Sequence, residues 1–178
     1  MSTIPVPLAQ IAAECQAGGL NDQNVERLAA ELATAFNVQP DEVGLLRAEK
    51  DSLVFVHPVR LRQVGRLPLN NSSSVAVRNF NSKRAEVSNS FAQAKHTTFF
   101  EMIGVEKPVS GAKPNKEKRE KQVIQKLMSC PVIADDKAVG VIQISRKGST
   151  QTDAGPDFTP ADLQKLVAIA RTLAKCFK

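Results

Sequence analysis

Tryptophan and tyrosine are missing from this chain, and eight phenylalanines stand in for both. A protein that stacks the bases of single-stranded nucleic acid needs a row of aromatic faces, so that class of function is poorly supplied. Histidine occurs only at His57 and His96, and cysteine only at Cys15, Cys130 and Cys176. No cysteine lies near either histidine in sequence. CxxC, HExxH, GxGxxG, a Walker loop and a nucleophile elbow are all lacking, so neither a metal site nor a cofactor site is expected. Three widely spaced cysteines are an odd number, which points to reduced thiols in a cytoplasmic protein and not to a disulfide framework. No apolar run approaches the ~20 residues that span a bilayer. The start Met1-Ser2-Thr3 also lacks the basic-then-apolar layout of a signal peptide, so no membrane partner is expected.

What is present is ordinary globular composition in 178 residues, long enough for one domain with a real core. The net charge of +6 is unevenly spread: residues 58–126 hold 14 basic and 5 acidic groups, against 3 and 8 over residues 1–57. A solvated basic loop region is the favoured reading, attraction of an anionic ligand or nucleic acid the other. With so few aromatics, nucleic acid is not expected as a partner.

The stretch Gln125–Gly148 reads as a central antiparallel hairpin. Two apolar, β-branched runs, Leu127–Ile133 and Ala138–Ser145, flank the polar turn Ala134-Asp135-Asp136-Lys137. The second run is apolar on both faces except at Gln143, as befits a strand covered on both sides. Gly140 leaves a position where a backbone or a ligand can approach closely. A polar loop, Gly148–Asp157, then leads to Phe158-Thr159-Pro160-Ala161-Asp162-Leu163, a helix start with Thr159 as N-cap and Pro160 at the first position. The helix Thr159–Phe177 carries Leu163, Leu166, Val167, Ala170 and Phe177 on one stripe.

Upstream, Pro5–Ala17 and Asp22–Asn37 are helical patterns, the second with Val25, Leu28, Leu32 and Phe36 on one face. Val43–Ala48 and Ser52–His57 form a first hairpin, and the alternating Val59–Val64 is expected to continue the sheet edge with its arginines in solvent. His57, at a strand end before Pro58, is expected at the surface. Asn70–Ser74 is a loop full of N-cap candidates for a short helix at Val75–Phe80. Ser90–Met102 is predicted helical, and the lysine-rich Gly104–Gln122 is predicted to be a mobile loop. Cys15 and Cys130 are expected to act as small apolar fillers.

The order "SCPVIADDKAVGVIQIS", polar loop, "FTPADLQKLVAIARTLA" resembles the end of a GAF domain, and looser matches reach back to about Val43. The resemblance implies an α+β fold: a GAF-like, profilin-like central antiparallel β-sheet with helices on both faces, the terminal helices forming one layer. It divides the chain into an N-terminal helical segment, 1–39, that packs with the C-terminal helix, and a GAF-like domain, 40–178, with the basic loop at about 104–122. It implies non-enzymatic sensing or signalling through a small-molecule pocket, and a homodimer through the terminal helices. The alternatives are an interaction module with a filled pocket, or a thiol enzyme such as a free methionine sulfoxide reductase. The reactive cysteines of those enzymes lie ahead of the hairpin, where this sequence has none between Cys15 and Cys130. Cyclic-nucleotide-binding members carry an Asn-Lys pair, Phe and Asp-Glu. The positions here are Ser145-Arg146, Phe158 and Asp162-Leu163, so Arg146, Phe158 and Asp162 are expected to clamp the last helix to the hairpin, with Arg146 and Asp162 paired by charge. The resemblance places Arg78, Asn89, Phe91 and His96 at the cavity wall, a set suited to an anionic or aromatic small molecule. The competing reading makes Phe91 core, and His96 and Arg78 surface.

Overall fold

Ten helices and strands follow one another in the computed structural model, which describes residues 4–63, 65–93 and 123–178. In chain order they are α1 (Val6–Gly18), α2 (Asp22–Phe36), β1 (Val43–Glu49), β2 (Ser52–His57), β3 (Arg66–Pro68), α3 (Val75–Ser82), β4 (Glu86–Ser88), β5 (Val123–Ala134), β6 (Lys137–Gly148) and α4 (Pro160–Leu173). The last helix continues as a 3-10 turn, Ala174–Phe177. The predicted helix Ser90–Met102 is described only at its start, a 3-10 turn at Phe91–Gln93. The rest of it, His96 and the basic loop 104–122 lie outside the described residues.

The strands make one antiparallel sheet in the order β3-β2-β1-β6-β5-β4. The hairpin β5–β6 forms its spine. Ala134 pairs with Lys137, so only Asp135 and Asp136 turn the chain, both at positive φ (49° and 62°). That is the twist-compatible form of a two-residue hairpin loop, which short polar residues tolerate.

The two faces of the sheet are built differently. On one, Val43, Leu45, Met128, Cys130, Val132, Ile142 and Ile144 merge with the buried sides of α1, α2 and α4 into one continuous core. α2 starts on a capping box between Asn21 and Asn24, and α4 on one between Thr159 and Asp162, so both helices begin with their first N–H groups satisfied. The other face carries α3, capped by Ser74. Its apolar residues fall into two separate groups: Leu46, Leu53, Phe55, Leu61, Leu67, Ala76, Val77 and Val141 in one, Val75, Phe91 and Leu127 in the other.

Gly140 is the point of closest approach on the helical face. A Cβ there would sit 2.4 Å from the Leu46 carbonyl and 2.5 Å from the Phe177 ring. The space is taken by the chain's own C-terminal turn.

Two expectations need correction. Val59–Gln63 is a 3-10 turn and not an edge strand. Pro58 has no N–H to continue the ladder, and its carbonyl accepts from Leu61 N–H to close the turn. Of the arginines expected in solvent, Arg62 folds back and donates to Val56 O (2.8 and 3.0 Å) and to Asp22 (2.5 Å). The edge is formed instead by Arg66–Pro68 against β2. His57 is buried, only 4% exposed, with its Nδ1 2.8 Å from Val43 O and its Nε2 3.8 Å from the Glu26 carboxylate. The imidazole joins the start of β1 to α2 across the β1–β2 bulge.

Among the described residues, no helix is long and apolar enough to cross a membrane.

Candidate functional site

The break between the two apolar groups under α3 is a polar rung. Register places Gly44, Gln143, Ser129 and Glu86 side by side across β1, β6, β5 and β4. Directly paired residues point to the same face. The rung therefore crosses four strands at the middle of the α3 side. Of the rows flanking it, one is apolar, Leu46 with Val141, and the other pairs Leu127 with Ser145 and Ser88.

Ser129 is fully buried, and Gln143 nearly so at 8% exposure. The Gln143 amide donates to Ser129 Oγ at 3.3 Å. From α3, the Asn79 amide donates to Glu86 Oε2 (3.1 Å), and Arg78 donates to Glu86 Oε1 (3.0 Å). Asn79 is 1% exposed, and its Oδ1 has no hydrogen-bond partner among the described residues. A buried acceptor left unsatisfied is uncommon and costs about 1–3 kcal/mol, so it calls for a donor. Gly44 keeps the start of the rung open: a Cβ there would meet only the Gln143 side chain, at 3.4 Å. A cleft of about 40 Å³ lies there, lined by Gly44, Leu61, Gln143 and Ser145 together with two acids, Asp41 and Glu42, and two cations, Arg60 and Lys147. That is room for a water-sized group.

The residues singled out from sequence are placed as follows. Arg78 is on α3 beside the rung, half-exposed, and committed to Glu86. Asn89 lies off the rung: its amide donates to Phe158 O (3.0 Å) and accepts from Phe158 N–H (2.9 Å), a reciprocal bridge that holds the start of α4. Phe91 is buried against Val75 and Leu127 and belongs to the small apolar group. Among the described residues each of the three has its own partner: Arg78 holds Glu86, Asn89 holds Phe158 and Phe91 packs on Val75 and Leu127.

The expected Arg146–Asp162 pair is replaced by another arrangement. Arg146 donates to Phe36 O (3.1 Å) and Asn37 O (3.0 Å) and lies over the Phe158 ring, 4.8 Å from its centroid. Lys165 adds a bond to Ala35 O (2.5 Å). The last turn of α2 thus presents orphan carbonyls at the negative end of its dipole, and two cations from β6 and α4 occupy them. Asp162 is occupied by Thr159, accepting from its N–H (2.8 Å) and Oγ (2.9 Å).

A larger groove, about 510 Å³, runs along the part of β5 that β4 leaves uncovered, lined by Lys83, Ala85, Cys130, Ile133, Val167 and Arg171. Its charged lining is mixed, Asp135 and Asp136 with Lys83 and Arg171. Cys130 is buried there, and burial pushes its thiol up to about 12. Cys15 and Cys176 are also buried and also held above the usual thiol range by burial. All three cysteines belong to the core on the helical face, and none borders the rung.

Of the rung, only Gln143 stood out in sequence, as the one polar residue in its apolar run. Ser129, Asn79 and Glu86 carried no signal, because the four strands that align them are far apart in the chain.

No protein-family model matches the sequence, and no curated protein matches it. Solved structures do match over nearly the whole chain. The GAF domain of an Acinetobacter phosphoenolpyruvate-protein phosphotransferase aligns with a TM-score of 0.65 at 16% identity, covering 96% of this chain and 90% of that one. The corresponding GAF domain from Coxiella burnetii gives 0.62 at 14% identity over 94% and 88%. A free methionine-R-sulfoxide reductase from Neisseria meningitidis, solved with its substrate, gives 0.61 at 17% identity over 99% and 96%. The chain has the GAF fold, which regulatory domains and enzymes share.

Proposed function

We propose that this chain is a non-enzymatic regulatory module that receives a small polar molecule on the sheet face beneath α3. The observation that carries this reading is the buried rung Gln143–Ser129 with the unpartnered Asn79 Oδ1 beside it. A sheet face whose only task is to pack α3 would be apolar along that row, as the neighbouring row of Leu46 and Val141 is. Burying amides and hydroxyls with incomplete bonding lowers stability, and a ligand that completes the bonding offsets the loss. The ligand best matched to an open acceptor and an amide is small, with both donors and acceptors; Arg60 and Lys147 near the cleft are already paired with Asp41. The terminal helices α1, α2 and α4 form one layer, which supports the further proposal that the module is a homodimer through them; sedimentation velocity checks it. The free thiols fit a cytoplasmic setting.

A second reading, thiol-dependent reduction of free methionine sulfoxide, is favoured by the near full-length likeness to the Neisseria enzyme. The burial of Cys15, Cys130 and Cys176 on the helical face speaks against it, since a nucleophilic thiol must reach its substrate as thiolate.

One experiment separates the readings. Purified protein is examined by native mass spectrometry and by a thermal-shift screen of small metabolites, beside Gln143→Leu, with turnover of methionine sulfoxide assayed under excess dithiothreitol. The proposal expects a bound or stabilising small molecule whose effect Gln143→Leu lowers at least tenfold while the variant stays folded. No ligand together with a Gln143→Leu variant more stable than the parent marks a filled interaction module. Turnover that depends on a cysteine establishes the enzyme.

A further inference from the structure

Cys15 and Cys176 are separated by almost the whole chain, yet the fold brings them together. Cys15 sits in the last full turn of α1, fully buried, and Cys176 in the terminal turn Ala174–Phe177, 1% exposed. The Cys176 Sγ lies 3.7 Å from Ala12 O, one turn before Cys15 on the same helix. A helical side chain leans toward the helix N-terminus, so the Cys15 thiol covers the turn that Ala12 occupies. The two thiols accordingly lie against the same turn of α1, next to each other.

Both backbones are also held in place. The Gly19 N–H bonds to Cys15 O at 2.7 Å and closes the end of α1. On the other side, the residue after Cys176 is Phe177, whose ring fills the space over Gly140. Two sulfurs presented to each other by fixed backbones join with little loss of chain freedom, the condition under which an intramolecular reaction outruns its intermolecular rival.

We propose that Cys15 and Cys176 are an oxidation site, a dithiol that closes to a disulfide between α1 and the C-terminal turn when the protein meets a peroxide. One thiol gives up its proton and, as thiolate, attacks hydrogen peroxide; the O–O bond breaks, the sulfur becomes a sulfenic acid, and the departing hydroxide takes up that proton as water. The second thiol then displaces water from that sulfur as the S–S bond forms. In sum, two thiols and one hydrogen peroxide give one disulfide and two waters; the sulfurs are oxidised and the peroxide oxygens reduced. Burial keeps both groups protonated in the closed fold, so peroxide meets a thiol only on local opening, and the return to the closed fold then brings the two sulfurs together. Cys130, in the same core but on β5, has no second cysteine beside it among the described residues and stays reduced. The proposal concerns the helical face and is independent of any ligand on the α3 face.

The test uses the full chain treated with hydrogen peroxide at several protein concentrations, quenched with an alkylating agent and digested without reductant. The expected product is a monomer lighter by about 2 Da, with the peptides holding Cys15 and Cys176 linked and Cys130 alkylated. It forms at a rate independent of protein concentration, and its Tm lies roughly 5–15 °C above that of the reduced protein. Cys130→Ala retains the linkage, and Cys15→Ala and Cys176→Ala each abolish it. Because the linkage is mapped in the unmodified chain, a variant that folds poorly does not spoil the result. Three thiols that remain free, a linkage through Cys130, a disulfide only between two chains, or sulfinic acid without disulfide would each overturn the proposal.

Discussion

The guanidinium of Arg146 satisfies two carbonyls that the last turn of α2 leaves without donors, and its flat face lies on Phe158. Arg146→Ala removes both charge-assisted bonds at once and leaves partly buried carbonyls behind, so a loss of about 2–3 kcal/mol is expected in chemical denaturation. Asp162→Ala acts elsewhere, removing one half of the α4 capping box for about 1 kcal/mol. With no bond between the two, the double variant should equal the sum of the singles to within about 0.5 kcal/mol. A larger coupling would show that the side chains communicate and that the assignment of Arg146 to α2 is incomplete. Both residues could be marked as important from sequence, since a cation after a buried strand and an acid three residues past a threonine have local signatures. Their partners could not. The carbonyls of Phe36 and Asn37 lie more than a hundred residues away, and only the packing of α2 onto the hairpin brings them within reach. His57 shows the same limit, since the Val43 carbonyl and Glu26 that bury it belong to other elements.

At the scale of the element, β6 stands at the middle of the sheet. It pairs with β1 and β5, and Gly140 in its middle lets the C-terminal turn press its ring onto the sheet. Gly140→Ala places a methyl where the Leu46 carbonyl and the Phe177 ring already stand. Neither is the free end of a flexible side chain, so a loss of about 1–3 kcal/mol is expected, read as a lowered denaturation midpoint with an unchanged slope. An unperturbed midpoint would mean that Phe177 is not seated there. The residues Phe158–Leu163 show what an element can reveal on its own. Thr159, Pro160 and Asp162 stand at the spacing a capped helix start requires, and the structure has that cap. The region Val59–Gln63 shows the opposite. Its alternation mimics a strand, but Pro58 cannot donate to a ladder and the chain turns instead.

For the whole molecule, the decisive fact is that α1 and α2 belong to the core and do not decorate it. Leu8, Ile11, Val25, Leu28, Leu32 and Phe36 are all buried in the same cluster as the sheet residues and α4. A chain beginning at Val38 would expose that face of the sheet, so it should show no cooperative thermal transition, monitored by circular dichroism. A sharp transition would establish that residues from about 40 onward fold alone. What the sequence determined by itself is whatever is written within a few consecutive residues: the β-branched runs of β5 and β6, the cap at Thr159, the amphipathic period of α2, and so the GAF architecture that these elements, in this order, can form. What only the tertiary structure decided is register and company. Gly44, Gln143, Ser129 and Glu86 become one rung because each strand settled with its apolar residues inward, and a slip of one residue in any of them would turn its member of the rung to the opposite face. The neighbouring thiols of Cys15 and Cys176 have the same origin: their meeting depends on the burial of two helical ends against one sheet, a global balance of packing that no local pattern encodes.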